Sequence, residues 1–189
     1  MKGELKTNTA KHLYTYIKSL QDRKIDFHIS AYINIDEPLE PDFLVYLAKW
    51  FRTPRHRYNI ERLEEDYGKI DSSSCYFGDY GTDGEYIAID SSVPIYCCQN
   101  RDFDALPGDV PGQLCAFKFW KENVLEYNWD SHDNHCFEWL SYLIEHFFEP
   151  NGYFLNGVVR YIDSKGHVFC VINVFDNIVS CGAIIPGKV

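Results

Sequence analysis

The sequence predicts an α+β domain in which about three helices pack on a mainly antiparallel sheet, a meander. Three observations carry this. Apolar and polar residues alternate over 27–35, the period of a half-buried strand. Apolar residues recur at three- and four-residue steps over 133–148, the period of a helix. The last three predicted strands follow one another through short turns with no helix between them. An antiparallel meander allows that, and a doubly wound parallel sheet does not.

The elements follow in chain order. Thr9 is placed as an N-cap for a first helix over 9–22, where Leu13, Tyr16, Ile17 and Leu20 share a face. In the strand over 27–35, Phe27, Ile29, Ala31, Ile33 and Ile35 point one way. Pro41, with Asp42 beside it, suits the first turn of a second helix. That helix carries Phe43, Leu44, Leu47, Trp50 and Phe51 and stops before Pro54. Strands over 74–78 and 85–90 are joined by an Asp83-Gly84 turn signal, and 113–118 with 124–128 reads as a hairpin around Glu122-Asn123.

The third helix is the strongest signal. Phe137, Trp139, Leu140, Leu143, Ile144, Phe147 and Phe148 cover about half of its wheel, with Glu138, Ser141, Glu145 and His146 opposite. Asn151-Gly152 ends it as a left-handed cap would. Strands over 153–162, 167–175 and 178–183 complete the chain, turning at 163–166 and at Asp176-Asn177.

A chain of 189 residues suits a single domain, 1–189, and buries roughly two-thirds of its unfolded surface without help from metal or disulfide. No cofactor is called for. The loop over 100–112, with Pro107-Gly108 and Pro111-Gly112, is where a sub-lobe junction would fall. With 46% hydrophobic and 16% aromatic residues, the composition is that of a core-forming chain.

Eighteen basic and twenty-eight acidic residues leave a net charge of −10. Such a field repels polyanions, so nucleic acid is not expected as a general partner, and it attracts basic ones. The cysteine count of seven is odd, and the polar stretch 3–11 has no apolar core of the translocation type. There is no Asn-x-Ser/Thr sequon and no apolar run of about 18 residues. The expectation is a cytoplasmic protein with reduced thiols and no membrane partner.

Four groupings could carry chemistry. Lys49, Arg52, Arg55, His56 and Arg57, interleaved with Trp50, Phe51 and Tyr58, form a basic patch in an acidic chain. Arginine forks suit phosphate or carboxylate, and aromatic rings could stack a base. A solvated helix end complementing the helix dipole explains the same charges. His132, His135 and Cys136 stand at helical spacing near Asp130 and Asp133 and could pair around a metal. Against that, Cys136 falls in the apolar arc, while His135 lies on the polar side with Tyr142 and His146.

The loop 78–84 is glycine-rich with carboxylates, yet it lacks the ligand pattern of a calcium loop, so turn chemistry accounts for it. Cys97-Cys98 is adjacent rather than spaced as a redox pair, and no nucleophile elbow is present. Catalytic residues are left unassigned.

Gln113-Leu114-Cys115, Trp129-Asp130, Trp139-Leu140-x-Tyr142-Leu143-Ile144, Gly152-Tyr153-x-Leu155-Asn156-Gly157-Val158 and Asp176-Asn177 occur in that order. With Gly84-Glu85-Tyr86 upstream, this pattern resembles a family of small, functionally uncharacterised proteins of bacteria and their phages. The resemblance covers roughly the last half of the chain and implies a bacterial or phage origin and a shared sheet-plus-helix fold. Members of that family carry an acidic run before the penultimate strand. Here 160–166 keeps only Asp163.

The function expected is therefore non-enzymatic: an accessory protein that binds another protein through an acidic, aromatic-rich surface. The alternative is a protein or enzyme that takes a phosphate-containing ligand or nucleic acid on the Arg52–Arg57 patch. The oligomeric state is open.

Overall fold

A computed structural model describes residues 26–58, 101–102 and 106–183, together with Thr15, Glu65 and Glu85. The predicted helix over 9–22 lies outside the described residues apart from Thr15. So do the strands over 74–78 and 85–90, apart from Glu85, which stands in a turn.

Six strands make one antiparallel sheet: β1 (Phe27–Ile35), β4 (Phe117–Lys121), β5 (Val124–Tyr127), β6 (Leu155–Asp163), β7 (Val168–Phe175) and β8 (Ile178–Ala183). Their order across the sheet is β4-β5-β1-β6-β7-β8. The meander reading holds for β6 to β8, while β1 inserts between β5 and β6. A separate pair joins β2 (Arg57–Tyr58) to β3 (Arg101–Asp102), so the start of the predicted loop over 100–112 is paired.

The alternation in β1 sets which face is buried. Ile29, Ile33 and Ile35 are buried, and Ser30 and Tyr32 are exposed. The register Ile33↔Gly157 brings the β6 backbone against β1. A Cβ on Gly157 would meet the Tyr32 carbonyl oxygen at 2.2 Å, which only glycine avoids.

Two α-helices are present among the described residues, against the three expected. Helix α1 (Pro41–Arg52) begins at its proline as the sequence indicates and buries Phe43, Leu47, Trp50 and Phe51. Each such side chain contributes roughly 1.5–3 kcal/mol by leaving water. Helix α2 (Cys136–Leu143) starts three residues later than predicted. It then passes into a π-helix over Ile144–Phe148 and a 3-10 turn over Glu149–Asn151.

The widened turn has a packing reason. An apolar arc covering half of an α-helical wheel cannot all face the sheet. The π segment lets the neighbours Phe147 and Phe148 both reach the core. Gly152, at φ 80°, then reverses the chain as predicted.

The layers meet around Trp50. Its ring lies 4.6 Å from Phe147 and 6.1 Å from Trp139 and stacks on Tyr142 at 6.0 Å. Its indole N–H donates to the Glu85 carbonyl at 3.2 Å.

Candidate functional site

The predicted sites come first. The basic patch does not form one surface. Lys49, Arg52 and Arg57 are exposed, whereas Arg55 is only 2% exposed, its guanidinium 3.7 Å above the Trp50 ring. His56 is half-buried, and Tyr58 contributes its backbone to β2. The aromatic interleaving that suggests base stacking is core packing here, because Trp50 and Phe51 face the sheet. Arg52 lines a cleft of about 390 Å³ with Lys118, Asn128 and Asp130.

His132, His135 and Cys136 do not converge on one point. His132 is exposed in a left-handed conformation (φ 50°), and Cys136 is buried. His135 bonds Asp133 instead, Nδ1 to Oδ1 at 2.5 Å. Among the described residues no group of three or more His, Cys, Asp or Glu is placed to hold a metal ion. The helix begins only at Cys136, so helical spacing does not govern His132 and His135. The loop 78–84 lies outside the described residues.

The residues at 128–139 form a tight polar network. Asp133 Oδ1 accepts from the His135 amide at 2.9 Å, and its Oδ2 accepts from Trp139 Nε1 at 2.7 Å. Tyr127 donates its hydroxyl to the Asp133 carbonyl at 3.0 Å, and Tyr161 donates to the Asn134 carbonyl at 2.8 Å. The hydrogen bond to Asp133 holds the His135 imidazole above the ordinary histidine value, against the opposing effect of its burial.

An imidazole oriented by a carboxylate is half of a general base. The hydroxyl of Ser131, in the same cleft, donates to the Asn128 carbonyl at 2.7 Å, so it is engaged elsewhere. The thiols nearby are equally unsuited to attack. Burial pushes Cys115 up to about 12 and raises Cys136 further, so both stay protonated at neutral pH. The network orders the entry to α2.

Two surface features were not visible in the sequence. One is the sheet face opposite the helices, where Tyr32, Trp120, Phe175 and Ile178 are 46%, 54%, 70% and 61% exposed. The Tyr32 and Trp120 rings meet edge-on at 6.2 Å.

The other is a groove of about 590 Å³ between the α2–π helix and β8. Its apolar lining comes from Phe137, Tyr142, Ile144 and Val179. Asp109, Glu138, Glu145 and Glu149 line it as well, with no basic side chain among the described lining residues. Three separated segments build it, which is why no sequence window shows it. The π turn sets the positions of Ile144 and Glu145, the Asp176-Asn177 turn fixes the start of β8, and the loop 106–112 supplies the wall. His146 Nε2 lies 3.6 Å from Asp109 Oδ2 and ties that wall to the helix. Burial pushes the Glu138 carboxyl above its ordinary value, so a cation reaching it would relieve an unfavourable charge.

No family model matches the chain, and neither do curated proteins or solved structures. Among the described residues no helix is long and apolar enough to cross a membrane.

Proposed function

We propose that this chain is a non-enzymatic protein-binding module, an accessory factor of bacterial or phage origin, with the groove between the α2–π helix and β8 as its binding site. The supporting observation is the groove's composition among the described residues: an apolar lining, four carboxylates and no basic side chain. An apolar interior with a polar rim is the anatomy of a protein interface. The carboxylates select a basic partner, and the net charge of −10 favours the same choice at long range.

The test is affinity capture from bacterial lysate, with and without nuclease, comparing the tagged wild-type chain with a Glu145→Lys/Glu149→Lys variant. Both positions are exposed, so the fold tolerates the change. A stoichiometric protein that survives nuclease and is lost with the variant supports the reading. Capture that ignores the variant, or that disappears with nuclease, defeats it.

The second reading is an anion site, favoured by Arg52 and Lys118 sharing the 390 Å³ cleft. It predicts that a phosphate compound raises the melting temperature and that Arg52→Ala removes the effect. Arg55→Ala would destabilise the fold whichever reading holds, because its guanidinium packs on Trp50.

A further inference from the structure

The two edges of the six-stranded sheet are treated differently. Edge strand β4 carries Lys118 and Lys121 and breaks register between Phe119 and Lys121. Charged side chains and bulges are the usual guards against an added strand. Edge strand β8 has neither. Its sequence Ile178-Val179-Ser180-Cys181-Gly182-Ala183 is uncharged and proline-free, and its register with β7 runs unbroken from Phe175↔Ile178 to Cys170↔Ala183.

The hairpin turn settles which backbone groups of β8 face outward. Asp176 and Asn177 both have positive φ, 45° and 63°, the conformation of a two-residue hairpin loop. Phe175 and Ile178 flanking such a loop are a hydrogen-bonded pair, and antiparallel pairs alternate. The amides and carbonyls of Val179 and Cys181 therefore point away from β7. They stand beside the groove, whose lining includes Val179.

Resting on the protein-binding reading above, we propose that the groove takes an extended basic segment of a partner protein, which adds to β8 as a further strand of the sheet. Main-chain bonds to Val179 and Cys181 give the affinity in this mode, and alternate side chains give the specificity. Lysine or arginine at every second position would lay its stem on Val179 and Ile144 and reach Glu145 and Glu149 with its head. A second copy of this chain fits poorly. It would bring the same carboxylates and another net charge of −10 to the edge.

The test uses the whole chain and three synthetic peptides: alternating Val–Lys, the same peptide with alternate backbone amides N-methylated, and alternating Val–Glu. Binding is read by titration calorimetry, and amide exchange is read residue by residue. The Val–Lys peptide should bind and slow exchange of the Val179 and Cys181 amides by about tenfold or more. N-methylation, the Val–Glu sequence and Glu145→Lys/Glu149→Lys should each weaken binding about tenfold, equivalent to about 1.4 kcal/mol. The proposal is overturned if the Val–Lys peptide fails to bind, binds equally well when N-methylated, or leaves those two amides unprotected. If lysate capture still depends on Glu145 and Glu149 in that event, only strand addition falls and the protein-binding reading stands.

Discussion

A methyl group at Gly112 would lie 2.1 Å from Asp133 Oδ2, the atom that accepts from Trp139. No side chain larger than hydrogen fits there without moving Asp133. Gly112→Ala should therefore cost roughly 1–3 kcal/mol, the range for leaving a buried donor unsatisfied. Urea unfolding measures it, and a loss below about 0.5 kcal/mol would show that Trp139 does not depend on this contact. The same carboxylate gives the fold a pH response through His135. The imidazole's folded value lies above its ordinary 6.5, so the bond's contribution is complete below 6.5 and declines as pH rises through the raised value. Solvent at the half-exposed ring keeps the effect below about 1 kcal/mol. The stability difference between wild type and His135→Gln should shrink over that rise, and a constant difference would contradict it. Residue-level detail of this kind was only partly legible. Asp133 reads as a helix start, which hides its acceptance from Trp139. Arg55 reads as a solvated cation, since nothing in its neighbours announces that Trp50 packs beneath it.

The elements were more legible, where one local rule decides the outcome. Strand β1 spans the predicted residues because period-two alternation and a half-buried sheet face are the same fact. Helix α1 begins at Pro41 because proline fixes φ where the missing N–H has no partner to lose. Asn177 shows why the last turn is so specific. Its side chain accepts from the Leu155 amide at 2.8 Å and donates to the Tyr153 carbonyl at 2.9 Å, while Asp176 N donates to Asn156 Oδ1 at 3.0 Å. Tyr153, Leu155, Asn156, Asp176 and Asn177 thus form a single structural clasp. Asn177→Ala should cost roughly 1–3 kcal/mol, and Asn177→Gly should cost less because it keeps the left-handed backbone. Thermal unfolding of both variants checks this, and a glycine variant as damaged as the alanine one would place the whole effect in the side-chain bonds. The π segment was not legible. It depends on Phe147 and Phe148 both finding room in a core that other elements shape.

At the scale of the molecule, the sequence gives a negative field and the folded chain gives that field a place to act. Asp109, Glu138, Glu145 and Glu149 come together only because a loop, a helix with a widened turn and an edge strand meet. Association with a basic partner should consequently weaken as salt rises, most in its on-rate, since rim charges steer encounter over about one Debye length. Raising ionic strength from 0.05 to 0.5 M should slow association by about tenfold or more, whereas a salt-independent rate would point to the exposed aromatics of the opposite face. The most direct test of the binding groove is hydrogen–deuterium exchange of the whole chain, alone and with the protein it captures. Binding in the groove predicts protection along 137–149, with the Val179 and Cys181 amides added where the partner joins β8 as a strand. Protection confined to the face carrying Tyr32 and Trp120, with β8 unchanged, would contradict it.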